Sequence, residues 1–200
     1  DAIVYFRWRS CLMGTEQYWH GLLPHSGIPG RNYDELKQFV SVMKPLLPEI
    51  RGAMPPRAAG ILFSYDEEYA ISIQPHHPGM SYVDHLMPYY KALHDKNVPV
   101  DFVPYDREWT GYKLLIAPLY YLTWPEINVK MKRFVQSGGI LVLDMRAGVK
   151  DGDNLCIPDQ ALPAGLSELT GFVVEEYDCL LSGGAKIVWD GTTYPAEKWC

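Results

Sequence analysis

Four cysteines in 200 residues, at Cys11, Cys156, Cys179 and Cys200, are too few and too scattered for a disulfide scaffold or a structural zinc site. None falls in a C-x-x-C spacing, and they read as reduced thiols of a cytoplasmic protein. No apolar run approaches the ~20 residues that a helical membrane span needs, so no membrane partner is expected. Basic residues are scarce as well. Eighteen Lys and Arg stand against 24 Asp and Glu, a net charge of −6. They form no cluster, which argues against a surface that tracks nucleic-acid phosphates. Neither G-x-G-x-x-G nor G-x-x-x-x-G-K-[ST] occurs, so the glycine-rich loops that cradle phosphate groups are missing too. No cofactor and no metal are implied, and no repeat or low-complexity tract appears.

What is present is a chain rich in apolar residues, 48% of the total, enough for a packed core. It begins at Asp1 and runs at once into Ala2-Ile3-Val4-Tyr5-Phe6. Residues 2–8 are predicted to be a strand apolar on both faces, as in a parallel sheet covered on both sides. A start inside such a strand reads as part of a longer polypeptide. Arg7 and Arg9 share one face of the predicted strand, and no acidic partner is evident near them, so their partners are expected elsewhere. Residues 24–32 read as loop. A helix is predicted over 33–50, with Asn32 as N-cap and Glu35 three residues on. Leu36, Phe39, Val40, Met43, Leu46, Leu47 and Ile50 make one apolar stripe, and Pro45 and Pro48 are expected to kink or end the helix early. One strand, one loop and one helix are too little to bury their own faces. Residues 1–30 are therefore expected to be the least native-like part of the chain.

Residues 51–56, with Gly52, Pro55 and Pro56, read as a linker. From 57 to 200 a second domain is predicted, with strands at 60–65, 100–103, 113–118 and 140–144 alternating with helices. Ser81 caps one helix. Thr123-x-x-Glu126, with Pro125 in the first turn, reads as the capping box of another, and Ser137-Gly138-Gly139 ends it. A short helix near 163–170, a strand at 172–174 and a hairpin over 186–194 complete the chain. Strands alternating with helices imply a mostly parallel, α/β, open doubly wound sheet of flavodoxin-like order.

Ligands of such sheets bind beyond the C-terminal strand ends. After the first strand, Asp66-Glu67-Glu68-Tyr69 reads as a solvated acidic turn at a helix N-terminus. After the third, Pro118-Leu119-Tyr120-Tyr121 carries neither a cysteine nor the flanking glycines of a nucleophile elbow. His76 and His77 are adjacent and point apart, in a loop expected to be exposed. The aromatic residues Tyr89, Tyr90, Tyr105, Trp109, Tyr112, Tyr120, Tyr121 and Trp124 read as core, with a protein-facing surface as the alternative. This domain holds no catalytic constellation.

Phe6-Arg7-Trp8-Arg9, then Gly14-x-Glu16-x-Tyr18-Trp19-His20-Gly21, then Leu23-Pro24-His25-x-Gly27, resembles the last barrel strand and following loop of the glycoside hydrolase family 42 β-galactosidases. The helix after it resembles the final barrel helix. The remainder, with Tyr89-Tyr90-Lys91-Ala92-Leu93, Val100-Asp101-Phe102-Val103 and Ser137-Gly138-Gly139-Ile140-Leu141-Val142, is similar to that family's trimerisation domain. The resemblance implies that residues 1–50 are the end of a (β/α)8 barrel, a TIM-barrel remnant. It further implies that residues 57–200 are a trimerisation domain of class I glutamine amidotransferase-like fold.

It also implies a homotrimer and a retaining hydrolase of terminal β-D-galactosides. Such an enzyme works through two glutamates whose carboxyl groups lie about 5–5.5 Å apart. Those glutamates belong to earlier barrel strands, so no catalytic residue is expected in this chain, which is predicted inactive alone. Glu16 would hydrogen-bond galactose hydroxyls from just beyond a strand end. Many members carry a histidine three residues after this glutamate. Here Trp19 stands at that place and His20 follows, so either could take the sugar contact. The competing reading is a stand-alone flavodoxin-like ligand-binding or regulatory module, with its ligand between the strands that finish near Tyr65 and Ala117.

Overall fold

The computed structural model describes residues 3–180 and 184–196. The chain divides into two compact units, Asp1–Met54 and Pro55–Cys200.

In the first unit, residues 3–8 form no strand. A strand needs a neighbour to take its N–H and C=O groups, and among the described residues the backbone bonds of residues 7–10 outside their own segment run to 22 and 23. Leu22 N donates to Arg7 O (2.8 Å), Leu23 N to Trp8 O (2.8 Å) and Ser10 N to Leu23 O (3.0 Å). Ile3, Val4, Phe6 and Trp8 consequently stay exposed. Helix α1 spans Arg31–Ile50. It begins two residues before the predicted position. Gly30 is the N-cap, its carbonyl accepting from Tyr33 N and Asp34 N, and Asn32 lies inside the first turn. Pro45 and Pro48 sit within the helix rather than ending it. Each removes a single i→i−4 bond, while the bonds around them persist to the last turn, where Arg51 N reaches Leu47 O. No residue of α1 is buried, so its apolar stripe is uncovered in this unit.

The second unit runs β1 (Ala59–Phe63), α2 (Tyr65–Ile73), α3 (Tyr82–His94), β2 (Val100–Pro104), β3 (Leu114–Ala117), β4 (Leu122–Thr123), α4 (Pro125–Gln136), β5 (Ile140–Leu143), β6 (Lys150–Asp151), α5 (Ser167–Thr170), β7 (Ala185–Trp189) and β8 (Thr192–Ala196). Four strands make one parallel sheet in the order β2-β1-β3-β5, with Ala59 opposite both Val100 and Leu114, and Leu114 opposite Ile140. β4 pairs with β6, and β7 with β8 as the expected hairpin.

Alternation along the strands gives the sheet two buried faces. Ile61 and Ile116 pack with Ile71, Tyr82 and Leu86 of α2 and α3. Leu62, Leu115 and Ala117 pack with Trp109 and with Met131 and Phe134 of α4. The alternation leaves room for no side chain at Gly60, where a Cβ would lie 2.8 Å from Leu115 Cδ2 and 2.9 Å from Val103 Cγ2. Most of the central aromatic residues are core: Tyr105, Trp109, Tyr120 and Tyr121 are buried, and Tyr89, Tyr90, Tyr112 and Trp124 half-buried.

Ser81 caps α3 as expected, accepting from Asp84 N. The capping box at α4 does not form. Trp124 is the N-cap and makes no side-chain cap bond. Thr123 is held in β4, buried, with its hydroxyl on the Asn128 amide (2.7 Å) instead of the helix N-terminus. Pro125 does occupy the first turn. The strand expected at 172–174 reduces to one bridge, Val174 N to Leu162 O (2.8 Å), with Phe172 and Val173 exposed.

Candidate functional site

In the first unit the stem at residues 7–10 and 21–23 closes a loop on itself. Buried Ser10 stitches the base, its Oγ accepting from Gly21 N (3.0 Å) and donating to Leu23 O (3.3 Å). Gly21 is needed there, because a Cβ would sit 2.7 Å from Arg9 C and 2.9 Å from Arg7 O. The far side of the loop is a single 3-10 turn, Thr15–Tyr18, which carries Glu16 and has no buried residue.

Arg7 reaches from stem to turn. Its Nη1 donates to Glu16 Oε2 at 2.6 Å and its Nε to Arg9 O at 3.1 Å. Arg9 donates to His25 O (3.0 Å). The two arginines thus find their partners inside the unit, contrary to the expectation that these lie elsewhere, because the chain returns from the loop alongside its own stem. Sequence reasoning missed this pair. The available signal was the acid nine residues after Arg7, with Gly14 before it and Gly21 after it to let the chain turn back.

The structure places Glu16, Trp19 and His20 in the same loop. Trp19 is exposed and packs edge-on against Tyr18 (5.7 Å), while His20 lines a cavity of about 230 Å³ with Ser10, His25 and Asn32. The three side chains do not converge. The only bond between them is backbone, Trp19 N to Glu16 O (3.1 Å). Cys11, next to Ser10, has its thiol pKa lowered, first by hydrogen bonding with the Met13 backbone and then by Arg7.

In the second unit the crevice between the C-terminal ends of β1 and β3 is filled by the protein's own groups. Glu67, expected to be solvated, is fully buried. It accepts from Tyr121 N (3.1 Å), Leu122 N (2.9 Å) and Tyr105 OH (3.2 Å). Burial pushes its carboxyl well above the usual range, with those donors opposing in part. Beside it Asp144 accepts from Leu119 N (2.6 Å), Tyr89 OH (2.9 Å) and His85 Nε2 (2.5 Å). Leu119, just after β3, has φ 45° and is fully buried. His76 and His77 are half-buried rather than exposed, bonded to Tyr121 OH (3.2 Å) and Leu180 O (3.2 Å). At these strand ends Glu67 and Asp144 are thus engaged with backbone N–H groups and side chains of the protein itself. Among the described residues no cluster of three or more metal-ligating side chains occurs, and no helix is long and apolar enough to cross a membrane.

Comparison with known proteins agrees with this division. Residues 57–200 match the family described as the beta-galactosidase trimerisation domain, and residues 1–46 match the beta-galactosidase family of glycoside hydrolases numbered 42. The chain is 34% identical over 201 residues to the beta-galactosidase BgaA of Clostridium cellulovorans, covering 100% of this chain and 30% of that protein. It is 33% identical over 200 residues to BgaH of Haloferax lucentense, covering 100% and 29%. Among solved structures, the polyextremophilic β-galactosidase of Halorubrum lacusprofundi superposes with a TM-score of 0.75 at 32% identity over 90% of this chain and 26% of that one. The β-galactosidase Gan42B superposes with a TM-score of 0.87 at 25% identity over 98% and 29%. The chain thus spans about 30% of the length of the relatives it matches.

Proposed function

We propose that this chain, which belongs to the glycoside hydrolase family 42 β-galactosidases, supplies the trimerisation domain and one edge of the sugar site of a retaining β-galactosidase. The observation that carries this is the order of the two matches. Residues 1–46 and 57–200 correspond, end to end, to consecutive parts of one kind of enzyme.

In this reading residues 1–50 close a (β/α)8 barrel and 51–56 link it to a flavodoxin-like domain. The strand order β2-β1-β3-β5 supports the latter, since it is the beginning of that doubly wound arrangement. The exposed apolar residues at 3–8 and the uncovered stripe of α1 are then faces meant for other barrel elements. Glu16 takes galactose hydroxyls. Trp19 offers an exposed indole to the sugar ring, and His20 is the alternative contact. The acid/base and the nucleophile come from other strands, and the working enzyme is a cytoplasmic homotrimer.

The test is direct. The chain alone should release no chromophore from a β-galactoside, and light scattering should show three copies associated. Turnover that disappears with Glu16→Gln would place the whole activity here and overturn the reading, and a strict monomer would remove self-association from it.

A further inference from the structure

We infer that Arg7 is a positioning residue for Glu16, fixing the plane of the carboxylate that meets the sugar. This rests on the sugar-holding reading of Glu16.

Glu16 rides on a 3-10 turn with no buried residue, and the turn's own bonds are few: Gln17 N to Gly14 O at 3.4 Å and Trp19 N to Glu16 O at 3.1 Å. Nothing in that turn fixes the rotamer of a side chain that is 57% exposed. Arg7 does. Its side chain is only 19% exposed and is anchored at the stem by Nε to Arg9 O, while its own carbonyl accepts from Leu22 N (2.8 Å). From that anchor Nη1 grips Oε2 alone. Oε1 takes no hydrogen bond among the described residues and remains an acceptor for hydroxyl groups.

An ionised carboxylate offers about four lone-pair sites, so one charge-assisted bond orients it and leaves acceptors for a sugar. The planar guanidinium matters here. It can bond a carbonyl through Nε and a carboxylate through Nη1 at once, in one fixed plane, which an ammonium on a flexible stem does not do. Arg7 therefore sets the carboxylate before substrate arrives, and misplacement of such a group by ~1 Å is enough to cost about a hundredfold in rate.

A double-mutant cycle in the full-length β-galactosidase containing this chain tests the assignment. Glu16→Gln and Arg7→Met should each lower kcat/KM for a β-galactoside by about tenfold or more, and the double variant should be no worse than Glu16→Gln by more than about threefold, because Arg7 acts through Glu16. Arg7→Lys, which retains the charge, should recover only part of the loss. Thermal melts identify any variant that fails to fold, and if Arg7→Met does, Arg7→Lys takes its place in the cycle. Additive losses, or full activity in Arg7→Met when Glu16→Gln is impaired, would overturn the positioning role. Full activity in Glu16→Gln would instead overturn the sugar-holding reading beneath it.

Discussion

Arg7 Nη1 lies 2.6 Å from Glu16 Oε2, an ion pair that joins the stem of a loop to its tip. The pair forms because the chain leaves the stem at Ser10 and returns at Gly21 close enough for backbone hydrogen bonds. An exposed pair of this kind adds little stability, about 0–1 kcal/mol. Its consequence is orientation.

Gly21→Ala should therefore disturb the site without touching Glu16. The added Cβ would meet the backbone of Arg9, Ser10 and Arg7 at 2.7–2.9 Å, and backbone atoms do not yield as a flexible side chain does. The stem should part and the Ser10 Oγ bond to Gly21 N should be lost. Amide exchange at Leu22 and Leu23 reads this out: protection should fall in the variant, and unchanged protection would mean that the stem is not what closes the loop.

Glu67 gives a second expectation. Glu67→Ala leaves Tyr121 N, Leu122 N and Tyr105 OH without an acceptor inside the core. Unsatisfied buried donors cost about 1–3 kcal/mol each, so a loss of roughly 3 kcal/mol or more is expected in denaturant melts. Glu67→Gln keeps one acceptor oxygen at the same reach and should lose less. Equal losses in the two variants would show that the donors are not the reason for the glutamate.

The pH dependence follows from the same burial. The Glu67 carboxyl lies well above its ordinary value in the folded protein, first because of desolvation, so the folded state binds this proton more tightly than the unfolded chain. Its stabilising contribution is complete below the ordinary glutamate pKa and is lost as pH rises through the raised folded value. Stability of the native protein should accordingly decline over that interval, and Glu67→Gln should flatten the decline. Parallel pH profiles for the two proteins would contradict the assignment.

Leu119 is predicted to reverse an ordinary rule. At φ 45° a non-glycine residue is strained by about 1–3 kcal/mol, while its buried side chain accounts for about 2–5 kcal/mol when truncated. Both Leu119→Ala and Leu119→Gly should destabilise. The glycine variant should be the milder of the two by about 1 kcal/mol, because it relieves the strain that alanine retains. Calorimetric melting that ranks alanine above glycine in stability would show that Leu119 is not strained.

Several of these features were legible in the sequence. Alternating apolar residues and turn residues were enough for β1, β2, β3 and β5, for α3 with its Ser81 cap, and for the β7–β8 hairpin, since strands and caps are chosen by neighbours close in the chain. The loop that carries Glu16, Trp19 and His20 was legible as a motif. What did not read from the sequence depends on remote partners. Thr123 looked like a cap and became a buried bond to Asn128. Glu67 looked solvated because nothing within ten residues shows that Tyr105, Tyr121 and Leu122 converge on it.

The sequence by itself determined a parallel α/β unit without glycine-rich phosphate loops and without a glycine-flanked cysteine after the third strand, because composition and periodicity decide those locally. Only the tertiary structure decided that residues 3–8 pair with no strand, that the α1 stripe is left bare, that Asp144 and Glu67 close the crevice, and that Arg7 holds Glu16. Each of these turns on whether a hydrogen-bonding group or an apolar face finds a partner far along the chain. That is a property of the packed molecule, which no local pattern carries.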